Sequence, residues 1–341
     1  MFFISKKKIA LDLGSSNSLL YLEKKGIIIN QPSLVSLSKK TGQIIAFGKK
    51  AEEMLERVPC HISVIRPIEG GVISDFEVIG QMLKYFFSRI EEGSFFSPYL
   101  EAAINIPCNV TEVERKAVED AAKDAGVNKV YLIESPLSIA LGSRLPIREA
   151  KGNLIIDIGG GTTEISVISL GGIVRANNLK IAGDKFDEAI IDYLCQNYKL
   201  LIGKPTAKNL KETIGSAINN FANLPESVFV KGRDILTGMP KEIEIVPNDI
   251  FQAISPLLSQ LVESIKMVIE ETPPELIADI MKNGIYLSGG GSLLKNIDRM
   301  IEKEIGIKTI IVNDPLNAVV RGNGFLIENI NKVKDLGINL V

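Results

Sequence analysis

The sequence predicts an α/β protein of two lobes that face each other across a central cleft, and three observations support this. A short apolar run, an aspartate, a glycine turn and a second apolar run follow one another twice, at residues 8–20 and 153–170. Apolar runs typical of strands are mixed with helical patterns along the chain. A charged, proline-containing segment at 144–151 connects the two copies. We therefore expect one lobe over residues 1–150 and a second over 151–341.

The second copy, NLIIDIGGGTTEISVISL, is the clearest motif in the chain. Two β-branched runs flank Asp157 and three consecutive glycines, Gly159, Gly160 and Gly161. Glycine lets a backbone approach an anion closely and exposes its N–H groups. Asp157, at the end of the incoming strand, is placed to hold a hydrated divalent cation, and Thr162 adds a hydroxyl. The simpler alternative is a hairpin with a flexible turn, which needs one or two glycines rather than three behind an aspartate.

Two further glycine clusters strengthen the interpretation. The first copy, KIALDLGSSNSLL, places Asp12 before a turn made of Gly14, Ser15, Ser16 and Asn17. A third cluster follows the apolar residues 285–287 and precedes a helical pattern; its members are Gly289, Gly290 and Gly291. A glycine turn at the start of a helix is a usual place for a nucleotide phosphate. Three such clusters in this order indicate a nucleotide between two lobes.

The remaining elements follow from local patterns. Strands are predicted at 19–22, 26–29, 32–37, 44–47, 101–106, 130–133, 227–230, 243–245 and 309–312. Helices are predicted at 49–58, 75–89, 111–126, 137–142, 186–198, 206–220, 248–271 and 316–329. Thr111 and Glu114 match a capping box, and Pro136 suits the first turn of its helix. Residues 231–234 are interpreted as a turn.

Composition excludes several classes of function. The 341 residues suit two domains, and 45% of them are hydrophobic, which is enough for full cores. A formal net charge of −2 argues against a general nucleic-acid binder. Three dispersed cysteines favour a reducing cytoplasm over a disulfide framework or a zinc site, and a single histidine makes a histidine-based triad unlikely.

Two apolar tips are candidates for contact with a membrane. Phe2 and Phe3 lie just before a cluster of three lysines at 6–8, and Phe95 and Phe96 lie between Gly93 and Pro98. Aromatic tips near basic residues can bind an anionic lipid surface. Alternatively, Phe3 and Ile4 begin the first strand while the lysines are solvated, and Phe95 and Phe96 pack into the core.

The motifs DLGSSNS, DIGGGTTE and SGGGSLL, in this order and spacing, resemble the actin–Hsp70–sugar kinase superfamily. Within it, stretches such as NVTEVERKAVEDAAKDAG, VYLIESPLSIALG and DPLNAVVRGNG are similar to the MreB family of bacterial actin homologues, over about residues 5–330. The abundance of Ile, Lys and Asn and the lack of Trp suit the AT-rich genome of a wall-less bacterium.

The resemblance implies an actin-like ATPase fold with mixed sheets flanked by helices and a smaller subdomain in each lobe, at about 33–74 and 183–245. It implies a cytoplasmic protein that binds ATP or ADP with Mg²⁺. Such a protein polymerises with itself into double protofilaments on the anionic inner face of the membrane and governs cell shape.

The same resemblance implies roles for individual residues. Gly14, Ser15, Ser16 and Asn17 would form the first phosphate loop, and Gly159, Gly160, Gly161 and Thr162 the second. Asp12 and Asp157 would hold magnesium through water. The adenosine would contact Gly289, Gly290, Gly291, Lys211 and Glu212.

One departure from the family pattern bears on catalysis. The family usually has two glutamates before the proline of this helix, and the second positions the attacking water. Here the residues are Glu134, Ser135 and Pro136. Serine cannot accept a proton as a carboxylate does, and loss of a general base typically costs roughly 10²–10⁴ in rate. We expect slow hydrolysis with intact nucleotide binding, and any remaining activity would depend on Glu134 or Thr162.

Other readings of the chain stay open at this stage. A sugar or acetate kinase of the same superfamily would carry a substrate-binding acid in the cleft, for which the sequence offers no clear candidate. An Hsp70 nucleotide-binding domain would be followed by a peptide-binding domain. A third alternative is a scaffold that barely hydrolyses ATP and serves active paralogous filaments.

Overall fold

A computed structural model describes residues 6–90 and 99–330. Phe2, Phe3, Phe95 and Phe96 lie outside these residues. The strands of the first half are β1 (Lys6–Leu13), β2 (Asn17–Leu22), β3 (Gly26–Pro32), β4 (Val35–Ser38), β5 (Ile44–Phe47), β6 (Ile62–Ile65), β7 (Ile68–Glu69), β8 (Val72–Ile73), β9 (Tyr99–Ile106) and β10 (Lys129–Glu134). Its helices are α1 (Lys49–Glu53), α2 (Phe76–Ser88), α3 (Glu112–Asp124) and α4 (Ser135–Gly142).

The second half has a similar mixture of elements. Its strands are β11 (Asn153–Ile158), β12 (Thr163–Ser169), β13 (Gly172–Leu179), β14 (Leu200–Leu201), β15 (Val228–Asp234), β16 (Pro240–Ile245), β17 (Ile285–Ser288) and β18 (Thr309–Ile311). Its helices are α5 (Gly183–Tyr198), α6 (Lys204–Ile214), α7 (Pro247–Glu270), α8 (Pro274–Asn283), α9 (Ile297–Ile305) and α10 (Ala318–Glu328).

Two five-stranded sheets share one topology. The first has the order β10-β9-β1-β2-β3 and the second the order β18-β17-β11-β12-β13. In each, three consecutive strands form antiparallel hairpins, and two later strands add in parallel on the other side. The predicted α/β fold with mixed sheets in two similar halves is confirmed. The division at residue 150 stays a prediction.

The alternation of apolar residues along the central strands explains how the layers form. Ile9 and Leu11 pack with α2 on one face of the first sheet, whereas Ala10 points to the other face. There it joins a cluster that contains Leu137 of α4, Leu326 of α10 and Ile155 of the second sheet. Helices α4 and α10 therefore fill the space between the two sheets, and the cleft opens beside them.

Small sheets flank this framework, and here local patterns predicted less. Strands β5-β4-β6 form one small sheet and β14-β15-β16 another. The predicted turn at 231–234 is wrong because β15 continues through these residues, paired with β16. The turn follows at 235–239, where the Asp234 carboxylate accepts hydrogen bonds from the N–H groups of Leu236 (2.8 Å) and Thr237 (3.0 Å).

Two predicted helices are shorter than expected, and one helix was missed. Helix α1 ends early because tight turns follow it and Glu56 adopts a left-handed conformation (φ 59°). Helix α6 ends at Gly215, which is extended (ψ 140°). Helix α8 was not predicted because Pro273 and Pro274 read as a break in the chain. Pro274 instead lies in the first turn of the helix.

Two local predictions about helix starts are confirmed. The Glu114 N–H donates to Thr111 Oγ1 (3.2 Å) and the Thr111 N–H donates to Glu114 Oε2 (2.8 Å), which completes the capping box of α3. Pro136 lies in the first turn of α4. None of the helices in the described part of the chain is both long and apolar enough to cross a bilayer.

Candidate functional site

A cavity of about 550 Å³ lies between the two large sheets and contains nearly every residue that the sequence singled out for the cleft. The singled-out residues along its wall are Asp12, Gly14, Ser15, Ser16, Asn17, Ser135, Asp157, Gly159, Gly160, Gly161, Thr162, Lys211, Glu212, Gly289, Gly290 and Gly291. Glu134 does not line it. Residues from five separate stretches of the chain thus meet at one place.

The two predicted phosphate loops are equivalent turns that face each other. Gly14 N–H donates to Asn17 O (3.1 Å), and Gly159 N–H donates to Thr162 O (2.9 Å), so both loops close in the same way. They touch at Gly160, where a side-chain methyl group would overlap the Ser16 hydroxyl. The bare glycine backbone of the second loop therefore makes room for the serine side chains of the first.

The third glycine cluster packs against the end of β11, just before the second loop. Gly289 adopts a left-handed conformation (φ 78°), and its N–H donates to Pro315 O (3.2 Å). A side chain at Gly289 would come within 2.6 Å of Asp157 Oδ1. Only glycine allows this backbone to approach the strand end that carries the aspartate.

Asp12 and Asp157 give the cavity a negative end that suits a cation. Burial, together with the charge of Asp157, raises the pKa of Asp12 to about 7, and burial raises the pKa of Asp157 to about 6. Asp157 Oδ1 is buried without a hydrogen-bond partner. These carboxylates fit a hydrated divalent ion, because an ion would offset their desolvation. In the described residues, no three His, Cys, Asp or Glu side chains are grouped to hold a metal directly.

Glu164 is a cavity residue that the sequence analysis missed. It is buried, and its Oε2 accepts a hydrogen bond from the Cys108 N–H (3.2 Å). Burial, with a further contribution from the Asp157 charge, raises its pKa to about 8. The predicted hairpin could have revealed it, because Glu164 on β12 pairs directly with Asp157 on β11.

The residues predicted for catalysis lie in different positions. Ser135 is buried at the cavity wall, and its hydroxyl donates to Ile106 O (3.1 Å) and accepts from Asn105 Nδ2 (3.2 Å). Thr162 lines the cavity at the end of the second loop. Burial raises the pKa of Glu134, which the nearby Arg115 partly offsets. At position 135 the cavity therefore presents a hydroxyl and no carboxylate.

Helix α6 forms the opposite wall. Lys208, Lys211 and Glu212 share one helix face and all line the cavity. Lys211 Nζ forms an ion pair with Asp187 Oδ1 (2.7 Å) and donates to Gly183 O (2.8 Å). Its positive charge is therefore largely neutralised within the protein. Lys208 was not predicted, although its helical spacing of three residues from Lys211 could have revealed it.

The duplicated sheet topology and the nucleotide-sized cavity between the sheets define a protein of the actin-like class. The structure of MreB5 of Spiroplasma citri bound to ADP matches with a TM-score of 0.91 at 36% identity, covering 98% of this chain and 99% of that one. A structure of the same protein bound to AMPPNP matches with a TM-score of 0.90 at 36% identity, over 97% of this chain and 99% of that one. A MamK double helical filament shares the fold, with a TM-score of 0.80 at 22% identity over 95% of this chain and 99% of that one.

The family model described as MreB/Mbl protein matches residues 6–335. The cell shape-determining protein MreB of Escherichia coli (strain K12) is 40% identical over 327 residues, which are 95% of this chain and 94% of that protein. The cell shape-determining protein Mbl of Bacillus subtilis (strain 168) is 39% identical over 328 residues, 96% and 97% of the two chains. The chain belongs to the MreB/Mbl family of actin-like, cell shape-determining proteins.

Proposed function

We propose that this protein binds ATP with Mg²⁺ in the central cleft, polymerises into filaments that act in cell shape or shape-based motility, and hydrolyses ATP slowly. The observation behind the slow step is the Ser135 hydroxyl, which is held at the cavity wall where the family pattern expects a glutamate. The nucleotide part of the proposal is supported by relatives solved with ADP and AMPPNP.

The binding residues are assigned from the cavity. The loops at Gly14 and Gly159 hold the phosphates with backbone N–H groups, and the third glycine cluster with α6 holds the adenosine. Asp12 and Asp157 hold magnesium through its water shell. When bound, the ion neutralises charge on the phosphates.

Hydrolysis is slow in this account because no carboxylate stands where the attacking water must be oriented. The Ser135 proton is committed to the Ile106 carbonyl, so the side chain offers no base. Phosphoryl transfer depends mainly on positioning and charge, and a weak ATPase activity that uses Thr162 or Glu134 remains.

Self-association is supported by exposed apolar residues at one edge of the molecule. The hairpin β15–β16 exposes Phe229, Leu236 and Met239, with 68%, 75% and 66% of their surfaces accessible. Identical subunits that meet head to tail form filaments when their rotation does not close. The subdomain limits at 33–74 and 183–245 and the lobe boundary at residue 150 belong to the same proposal.

This hairpin gives a direct test of the filament contact. We expect Leu236→Ser with Met239→Ser to reduce the fraction that sediments with ATP and Mg²⁺ at least severalfold, because about 1.5–3 kcal/mol is lost for each apolar side chain that a contact buries. Val113→Ser is the matched control, since Val113 is equally exposed (79%) but lies on α3. Equal sedimentation of the hairpin variant and the parent would remove this hairpin from the contact.

The proposed location is the cytoplasm, at the inner face of the cell membrane. Phe2, Phe3, Phe95 and Phe96 are the proposed contacts with anionic lipid, and paralogous filaments are further partners. One buried phenylalanine contributes only about 1.5–3 kcal/mol, but a filament that repeats these residues binds through avidity. We expect deletion of either pair to lower co-sedimentation with anionic liposomes; unchanged binding would exclude that pair.

The small-molecule kinase is not favoured, because the match to shape-determining relatives covers nearly the whole chain. The experiment that separates the two is sedimentation of the purified chain with and without ATP and Mg²⁺, alongside a screen for phosphorylated small molecules. Nucleotide-dependent pelleting without a phosphorylated product supports the filament. Stoichiometric phosphorylation of a sugar or carboxylic acid without pelleting would overturn it.

A further inference from the structure

Asn105 occupies a position in the cleft that no motif singled out. It lies near the end of β9 and lines the cavity. In the parallel pairing of β1 with β9, Leu11 is opposite Ile104, which places Asp12 beside Asn105. In the pairing of β9 with β10, Glu134 is opposite Ile106, so Ser135 follows directly on the other side. Asn105 therefore lies between the proposed metal-binding aspartate and the position of the missing glutamate.

The contacts of its side chain match this location. Asn105 Nδ2 donates to Ser135 Oγ (3.2 Å), and the polar amide beside Asp12 offsets part of the rise in the pKa of that carboxyl. A carboxamide has two N–H donors, so one is available to Asp12 while the other bonds Ser135. One side chain links the two functional positions.

A buried network fixes the orientation of this amide. Asn323 Nδ2 donates to Leu11 O (2.8 Å) and to Asn105 Oδ1 (3.3 Å), while Asn323 Oδ1 accepts from Ser138 Oγ (2.6 Å). Asn323 and Ser138 have no exposed surface. The nitrogen of Asn323 thus faces two oxygens, and its own oxygen faces a hydroxyl, which fixes the orientation of the Asn323 amide. Because Asn323 donates to the Asn105 oxygen, the Asn105 nitrogen points to the cleft.

The second sheet repeats the arrangement at the equivalent place. Asp157 is opposite Ser288 in the parallel pairing of β11 with β17. The Ser288 hydroxyl donates to Pro315 O (3.3 Å). Each proposed metal-binding aspartate thus has a polar side chain beside it on the neighbouring parallel strand.

We propose that Asn105 is a positioning residue of the nucleotide site, which holds the Asp12 carboxylate and the Ser135 hydroxyl in a fixed relation. The inference rests on the proposed binding of ATP with Mg²⁺ in this cleft. Partners that orient metal ligands typically change metal affinity by about 10–100-fold when they are removed. Without Asn105, Asp12 loses its polar neighbour on β9.

The test is the magnesium dependence of nucleotide binding by the full chain. A fluorescent ATP analogue is titrated in EDTA and at increasing Mg²⁺, for the parent, Asn105→Ala and the control Asn153→Ala. Asn153 is also a buried asparagine, but it lies at the other end of β11, bonded to Lys151 O (3.1 Å). We expect the half-maximal Mg²⁺ concentration to rise about tenfold in Asn105→Ala, with affinity in EDTA within twofold of the parent and Asn153→Ala unchanged.

Two results would overturn the inference. An unchanged magnesium midpoint in folded Asn105→Ala removes the positioning role, and an equal loss of affinity with and without Mg²⁺ indicates a general structural role. If Asn105→Ala does not fold, Asn105→Leu, which keeps the bulk of the side chain but has no donor, is compared by the same criteria. A parent chain that binds no nucleotide under any condition instead contradicts the proposed function itself.

Discussion

The two sheet edges that face the cleft share their aspartates but differ in what surrounds them. At the first edge, Asp12 lies beside Asn105 on the neighbouring strand, and the side chain of Asn105 donates to Ser135. At the second edge, Asp157 is followed by glycines and approached by the backbone of Gly289. Duplication of the topology thus yields a first edge lined mainly by polar side chains and a second edge lined mainly by glycine backbone. The first suits orientation of reacting groups, and the second suits close approach of a phosphate.

The largest effect should come from the feature that only the first edge has. We expect Ser135→Glu to raise the rate of phosphate release about 10²-fold, because a carboxylate can orient and deprotonate the attacking water. Ser135→Gln is the matched control, since it has the same size without the charge. A glutamate variant no faster than the glutamine variant would show that position 135 does not limit hydrolysis.

The contact between the two loops predicts the next largest effect. Gly160→Ala should weaken nucleotide binding by about 5–150-fold, because the new methyl overlaps Ser16 and overpacking typically costs about 1–3 kcal/mol. Adding Ser16→Gly moves the side chain from one loop to the other and should restore most of the affinity, as measured with a fluorescent ATP analogue. If the second change restores nothing, the loops do not meet in this way.

The smallest expected effect is the contribution of the two aspartates to the pH dependence of the free energy of unfolding. Their pKa values are raised in the folded protein, from 3.8 to about 7 for Asp12 and about 6 for Asp157. The stability that this contributes is present below about pH 4 and is lost as pH rises through 6 to 7. In EDTA without nucleotide, the free energy of unfolding should therefore fall between about pH 5 and 7.

Replacing each aspartate by asparagine tests which of the two has the higher pKa. Asp12→Asn should flatten this pH dependence by of order 2 kcal/mol, and Asp157→Asn should flatten it less. Chemical denaturation at several pH values provides the measurement. Asp12→Asn gives the cleaner comparison, because Asp157→Asn also removes a charge that raises the pKa of Glu164. Identical slopes in the parent and Asp12→Asn would contradict the burial of Asp12.

Much of the cleft was predictable because its chemistry is local in sequence. An aspartate, a glycine turn and flanking apolar runs specify a strand end at an anion site, and Gly14, Gly159 and Gly289 could be found from these patterns alone. The capping box at Thr111 depends only on residues three apart. The α/β class followed from the same periodicities.

The rest depends on contacts between distant residues. Nothing near Asn105 in the sequence indicates Asn323, which is 218 residues away, and Glu164 reads as an ordinary strand residue until its burial beside Asp157 is seen. The strand predicted at 227–230 was too short, because Gly232 resembles a turn residue. In the structure Gly232 pairs with Lys241, and this pairing keeps Gly232 within β15. Burial and long-range pairing are properties of the fold, and local patterns do not contain them.

The central claim is that nucleotide binding drives assembly while position 135 keeps turnover slow. The most direct measurement is phosphate release by the parent chain with ATP and Mg²⁺, with sedimentation of the same samples over time. We predict that filaments pellet early, while phosphate stays far below one equivalent per subunit. Filaments that release phosphate briskly, at the rate of the Ser135→Glu variant, would contradict the account.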